Sequence, residues 1–141
     1  MKTRILVVDD EPAIRELLRL HLKNEGYEVV EAPDAVVAGK MLLSSAWQLD
    51  LMIVDASMPY LTGIDFAAVV MADATLPPLP IILITGHEEL ATRADHLHVP
   101  CLMKPFSAST LLSVVERTLA VTPRSAAAAL RGTRQTRSHA G

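Results

Sequence analysis

The chain has 141 residues, half of them apolar and only 4% aromatic, with a formal net charge of −3. That length is one domain with room for a buried core, and its aliphatic bias suits helices packed on an aliphatic sheet and excludes global disorder. The charge is uneven: residues 1–121 carry nine Lys and Arg against all sixteen Asp and Glu, net −7, whereas 122–141 carry four Arg and no acid. An acidic body argues against nucleic acid as the main partner of the fold, because phosphate binding needs clustered cations. The single Cys101 excludes an internal disulfide and a cysteine zinc site, and points to a reducing compartment. No apolar run approaches the roughly eighteen residues of a membrane span, and Ile5-Leu6-Val7-Val8 is too short for a signal peptide. The expectation is a cytoplasmic protein.

The first β-type run, Ile5-Leu6-Val7-Val8, leads into Asp9-Asp10-Glu11-Pro12. Pro suits the first turn of a helix and acids suit its positive end. Ile14, Leu17, Leu18 and Leu22 then recur at helical spacing as far as Gly26, a C-terminal stop. Tyr27-Glu28-Val29-Val30-Glu31 alternates like a half-exposed strand, and residues 35–44 return to helical offsets. Leu51-Met52-Ile53-Val54 is apolar on both faces, as an interior parallel strand should be, and ends on Asp55. A loop with Pro59 leads through Gly63 to a helix over 64–74. Pro77, Pro78 and Pro80 block any helix before the fourth strand, Ile81-Ile82-Leu83-Ile84, which ends on Thr85-Gly86. A weak, short helix around 88–95, a brief strand Cys101-Leu102-Met103, Lys104-Pro105-Phe106 and a helix over about 107–121 complete the pattern.

Strict (βα)5 alternation with short connections implies one five-stranded parallel sheet covered by helices on both faces. Five units are too few for an eight-stranded barrel. The expected α/β fold is doubly wound and flavodoxin-like, with strand order 2-1-3-4-5. Residues 1–121 form this domain. Residues 122–141 form a basic tail poor in core-forming residues, with one helical turn expected near 126–130.

Ligands of doubly wound sheets sit beyond the carboxyl ends of the strands. Those ends carry Asp9 and Asp10, then Asp55, Thr85 and Lys104, on four strands that this order makes neighbours. A single Asp at a strand end is ordinarily a cap, and a single Lys a solvated charge. Convergence of all five is a different matter, since three close carboxylates repel one another unless a cation sits among them. Oxygen ligands without His or Cys favour a hard ion, and few carboxylates with room for water suit Mg²⁺. Lys104 adds a second positive charge and Thr85 a hydroxyl donor, so the pocket can neutralise a phosphoryl group beside a carboxylate.

With these motifs in place, the sequence resembles the receiver domain of bacterial two-component response regulators. The resemblance covers residue 4 to about 120 and rests on Asp9-Asp10, Asp55-Ala56-Ser57-Met58-Pro59 followed by Gly63, Thr85-Gly86 and Lys104-Pro105-Phe106. It implies that Asp55 is the phosphoacceptor, that Asp10, Asp55 and the Ser57 backbone carbonyl bind Mg²⁺, and that Asp9 acts through a bound water. It further implies that Thr85 and Lys104 contact the phosphoryl group. The donor would be a phosphohistidine on a sensor histidine kinase or a histidine phosphotransfer protein. Such a protein is a switch that promotes its own phosphotransfer and dephosphorylation, not an enzyme with a separate substrate. The tail has no core of its own, so a stand-alone regulator is expected, acting on an effector protein or within a phosphorelay without binding DNA.

One position departs from the resemblance. Three residues before the strand-five lysine such receivers usually carry Tyr or Phe, and here stands Cys101. Signalling is therefore expected through another face, or through Thr85 and its loop alone. Among other classes, a phosphatase of the haloacid dehalogenase type would need a second Asp two positions after Asp55, where Ser57 stands. Nucleotide binding would need a Gly-rich first turn in place of Asp-Asp-Glu-Pro. A phosphorylation-independent interaction module is disfavoured by the retained Asp10, Asp55, Thr85 and Lys104. His96 and His98 lack further convergent ligands, Trp47 is expected to pack, and Arg124, Arg131, Arg134 and Arg137 are too dilute for a nucleic-acid patch.

Overall fold

The computed structural model describes residues 2–44, 46–58 and 61–121. The expectations for Pro59 and for residues 122–141 lie outside the described residues. The elements run β1 (Arg4–Val8), α1 (Pro12–Asn24), β2 (Glu28–Ala32), α2 (Ala35–Leu43), β3 (Leu51–Asp55), α3 (Gly63–Ala72), β4 (Ile81–Thr85), α4 (Glu88–His96), β5 (Cys101–Met103) and α5 (Ala108–Ala120). All strand pairs are parallel and the order is β2-β1-β3-β4-β5, as the alternation predicts.

The period of two along each strand divides the core into two layers. Ile5, Val7, Ile53, Ile82 and Ile84 face one way and meet Leu18 and Leu22 of α1 with Leu111 and Val115 of α5. Leu6, Val8, Met52, Val54 and Leu83 face the other way and meet Ala35 and Ala38 of α2, Ile64, Phe66 and Val70 of α3, and Ala94 of α4. Strands β3 and β4 are buried along their whole length, whereas the edge strand β2 keeps four of its five residues at least partly exposed. Each fully buried Leu or Ile contributes about 1.5–3 kcal/mol relative to exposure, so these layers hold the strand ends in fixed positions.

Local chemistry sets the helix starts. Pro12 occupies the first turn of α1, and that helix ends before Gly26, whose φ of 91° the absent side chain permits. Asp34, Thr62 and Ser107 each accept a backbone N–H at the start of α2, α3 and α5. Helix α4 is short, nine residues, and regular. Trp47 is not a core residue: it is 39% exposed, with the Arg4 guanidinium 5.9 Å from its ring centre.

Gly63 is a packing requirement. A Cβ there would overlap the Asp55 carbonyl oxygen and lie 2.9 Å from the Ala56 Cα. The N–H of Gly63 donates to the Ala56 carbonyl at 3.0 Å, so the start of α3 is pressed against the end of β3. Gly39, inside α2, has nothing within 4 Å of the same construction. In urea unfolding, Gly63→Ala should lose about 2–3 kcal/mol from enforced overlap. Gly39→Ala should instead gain about 0.5–1 kcal/mol from helix propensity. Equal effects at the two sites would refute the close approach at Gly63.

Candidate functional site

The sheet brings the carboxyl ends of β1, β3, β4 and β5 together. Asp9 follows β1, Asp55 ends β3 and Thr85 ends β4, and all three are nearly inaccessible at 1%, 4% and 1% exposure. Backbone bonds beyond the strands keep the ends aligned: Ala56 N–H donates to Ile84 O and Lys104 N–H to Thr85 O, both at 2.8 Å. The Lys104–Pro105 peptide bond is cis.

Each acid is held from below by its own loop. The Asp9 Oδ1 accepts from Glu11 N–H at 2.9 Å, and the Asp55 Oδ1 accepts from Ser57 N–H at 3.0 Å. The other oxygen of each faces Lys104, whose Nζ stands 3.9 Å from Asp9 Oδ2 and 3.6 Å from Asp55 Oδ2. The Arg15 guanidinium donates to the Asp9 carbonyl at 2.6 Å and reaches Glu31 at 3.4 Å, which anchors the first loop to α1 and β2. Thr85 Oγ1 accepts from His87 N–H at 3.0 Å, and its own hydroxyl hydrogen stays available to donate.

Asp9, Asp55 and Lys104 therefore meet as the strand order requires. Asp10 stands differently: it is exposed, and it is not part of the acidic group whose oxygens approach within 4.8 Å. The third member of that group is Glu11, an exposed residue at the start of α1. Its signal is present as the third acid of Asp9-Asp10-Glu11, but which of two successive exposed side chains brings an oxygen to the buried pair depends on rotamers that no sequence period encodes. His96 and His98 belong to no such group among the described residues.

The electrostatics follow from burial and crowding. Burial pushes the Asp9 carboxyl up from 3.8 to about 6, with Asp55 and Asp10 adding repulsion and the Glu11 N–H and Lys104 partly opposing it. Burial also raises Asp55, against the Ser57 N–H and Lys104. Two buried carboxylates whose protons are hard to remove, joined by a third acid and, among the described residues, by one lysine, are short of positive charge. Their oxygens are the donor set of a hard divalent cation, so the residues present fit Mg²⁺.

This makes a prediction about pH. The folded state holds the Asp9 proton up to about pH 6, whereas the unfolded chain releases it near 3.8. The proton-linked stability is full below about pH 4 and is lost as pH rises through about 6. In chelator, Asp9→Asn, which keeps an oxygen for the Glu11 N–H, should flatten this loss and exceed the parent by up to about 3 kcal/mol at pH 7. Parallel stability curves from urea titrations between pH 4 and 7 would refute the assignment.

Comparison with known proteins agrees with this arrangement. Residues 5–116 match the response regulator receiver domain. Response regulator MprA of Mycobacterium tuberculosis (strain H37Rv) is 36% identical over 116 residues, covering 80% of this chain and 49% of its own length. The DNA-binding response regulator MtrA of Mycolicibacterium smegmatis is 31% identical over 121 residues, covering 84% of this chain and 51% of its own. The chain thus spans about half the length of these curated relatives. Among solved structures, the response regulator protein TrrA of Thermotoga maritima, in complex with Mg²⁺-BeF, gives a TM-score of 0.73 at 34% identity, covering 83% of this chain and 98% of that one. The Vibrio cholerae chemotaxis protein CheY4 gives 0.71 at 29% identity, with the same coverage. No helix among the described residues is long and apolar enough to cross a membrane. Sequence, strand order and the buried acid cluster converge on one conclusion: the chain belongs to the response regulator receiver domain family.

Proposed function

We propose that Asp55 accepts a phosphoryl group from the phosphohistidine of a sensor kinase or phosphotransfer protein, and that the chain passes this signal on by protein contact. The observation that carries the reading is the asymmetry of the Asp55 carboxylate. Its Oδ1 is occupied by the Ser57 N–H, while Oδ2 faces Lys104 at 3.6 Å. In the transfer the P–N bond breaks, its electron pair stays on the imidazole, and a P–O bond forms to an Asp55 oxygen. Such a reaction needs positioning and charge neutralisation more than an acid or base. Lys104 pairs with the incoming phosphoryl oxygens, and the Thr85 hydroxyl, oriented by the His87 N–H, donates to one of them. Asp9, Asp10, Asp55 and the Ser57 carbonyl would hold Mg²⁺, with Glu11 close enough to join them. The ion supplies positive charge that a single lysine does not.

The same reading covers the partner and the output. The Mg²⁺-BeF complex of the Thermotoga relative supports a site for a metal and a phosphoryl mimic in this fold. MtrA, a DNA-binding regulator, is about twice as long as the matched region, so its DNA contact is not carried over to the domain described. Cys101 stands at the start of β5, half-buried, paired in register with Leu83. A thiol there lacks the bulk for the large side-chain swing of an aromatic residue, which leaves another face of the domain, or Thr85 and the following loop, as the route outward.

Acetyl phosphate with Mg²⁺ should label the parent chain with an acid-stable, base-labile phosphoryl group, and Asp55→Asn should remove the label. Lys104→Ala should slow labelling on the order of 10²-fold while keeping the acceptor. Label retained in Asp55→Asn would place the acceptor elsewhere and defeat the reading.

A further inference from the structure

A groove of about 890 Å³ opens at the end of the sheet opposite Asp55. Its floor includes Ile81 and Cys101, the first residues of β4 and β5. One wall is the stripe Val114, Thr118 and Val121, spaced to share one face at the end of α5. The opposite wall is the end of α3 with the proline-rich segment 76–80. Rim side chains are left in water: Met71 is 52% exposed and Val121 81%. An apolar trough of this size with an exposed apolar rim has the character of a binding surface.

The chain itself carries a candidate occupant. Helix α5 ends at Ala120, Val121 stands on the groove, and twenty residues follow. Within those twenty the only large apolar side chain is Leu130, preceded by Ala126, Ala127, Ala128 and Ala129. Four residues separate Val121 from Ala126, so five Cα steps give a reach of at most about 17 Å. A tether so short holds the run beside the groove at an effective concentration on the order of millimolar. The charged lining of the groove is balanced, Asp73 against Arg117, so the apolar run and the short tether are what favour this occupant, and Arg131, directly after the run, has Asp73 as an acid to pair with.

We propose that residues 126–130 dock into this groove, with Leu130 against its apolar floor, and so cover Cys101. The groove is then an interaction surface for the chain's own C-terminal segment, separate from the acid cluster at the other end of the strands.

Cys101 is the chain's only cysteine and lines the groove, so its modification rate reads occupancy directly. The experiment compares the full chain with full-length Leu130→Asp and Ala128→Asp, using an uncharged maleimide at several protein concentrations. Equal urea midpoints verify that the fold is kept. Docking predicts that both variants react at least about fivefold faster than the parent at every concentration. Equal rates would overturn the proposal, as would protection that grows with protein concentration, which would mean that a second copy fills the groove.

Discussion

The architecture turns on the cost of keeping Asp9 and Asp55 side by side out of water. At 1% and 4% exposure neither carboxylate has solvent to screen it, and each raises the energy of ionising the other. Repulsion of this kind would normally be relieved by one side chain swinging outward. Here it is resisted because the backbone beneath each acid is fixed. The Glu11 and Ser57 N–H groups grip one oxygen of each, and Lys104 faces the other two. The result is a place that prefers positive charge and has already met the cost of ordering its own groups.

Rigidity at that spot comes from the layers around it. β3 and β4 lie in the middle of the sheet with every residue buried, so the strands carrying Asp55 and Thr85 are the least free to move. Gly63 extends this constraint sideways, since the first turn of α3 rests on the backbone of Asp55 and Ala56 with no side chain between. A displacement of the β3 end is therefore felt by α3 without passing through any rotamer. The loop after Thr85 has a softer link, through the single hydrogen bond from His87 to the threonine hydroxyl.

Much of this was legible in the chain. Apolar residues on both faces of Leu51–Asp55 and Ile81–Thr85 mark interior strands, and strict alternation leaves the doubly wound order as the economical solution. That order brings Asp9, Asp55, Thr85 and Lys104 to one edge. What the sequence does not encode is which neighbouring loop side chain reaches the buried pair: Asp10 and Glu11 are both exposed, and it is Glu11 whose oxygen comes within 4.8 Å of those of Asp9 and Asp55. The reason for Gly63 was hidden too, because a close backbone approach is a tertiary fact. Trp47 packs, but at the surface, where its ring meets the Arg4 guanidinium and not the core, a choice of partner that no local pattern encodes. The groove could not be foreseen at all. It is bounded by segments from α3 to α5 whose separation depends on how far the proline-rich stretch stands off the sheet.

Parallel order also has a temporal side. Asp9 and Asp55 lie in the first half of the chain, whereas Lys104 comes after β5 and is joined to the sheet by the Thr85 carbonyl. A chain emerging from the ribosome therefore completes its anionic pair well before its covalent counter-charge exists. Until the fifth strand docks, those two carboxylates must stay apart, stay protonated or borrow an ion from solution, so the last edge strand locks the centre of the sheet.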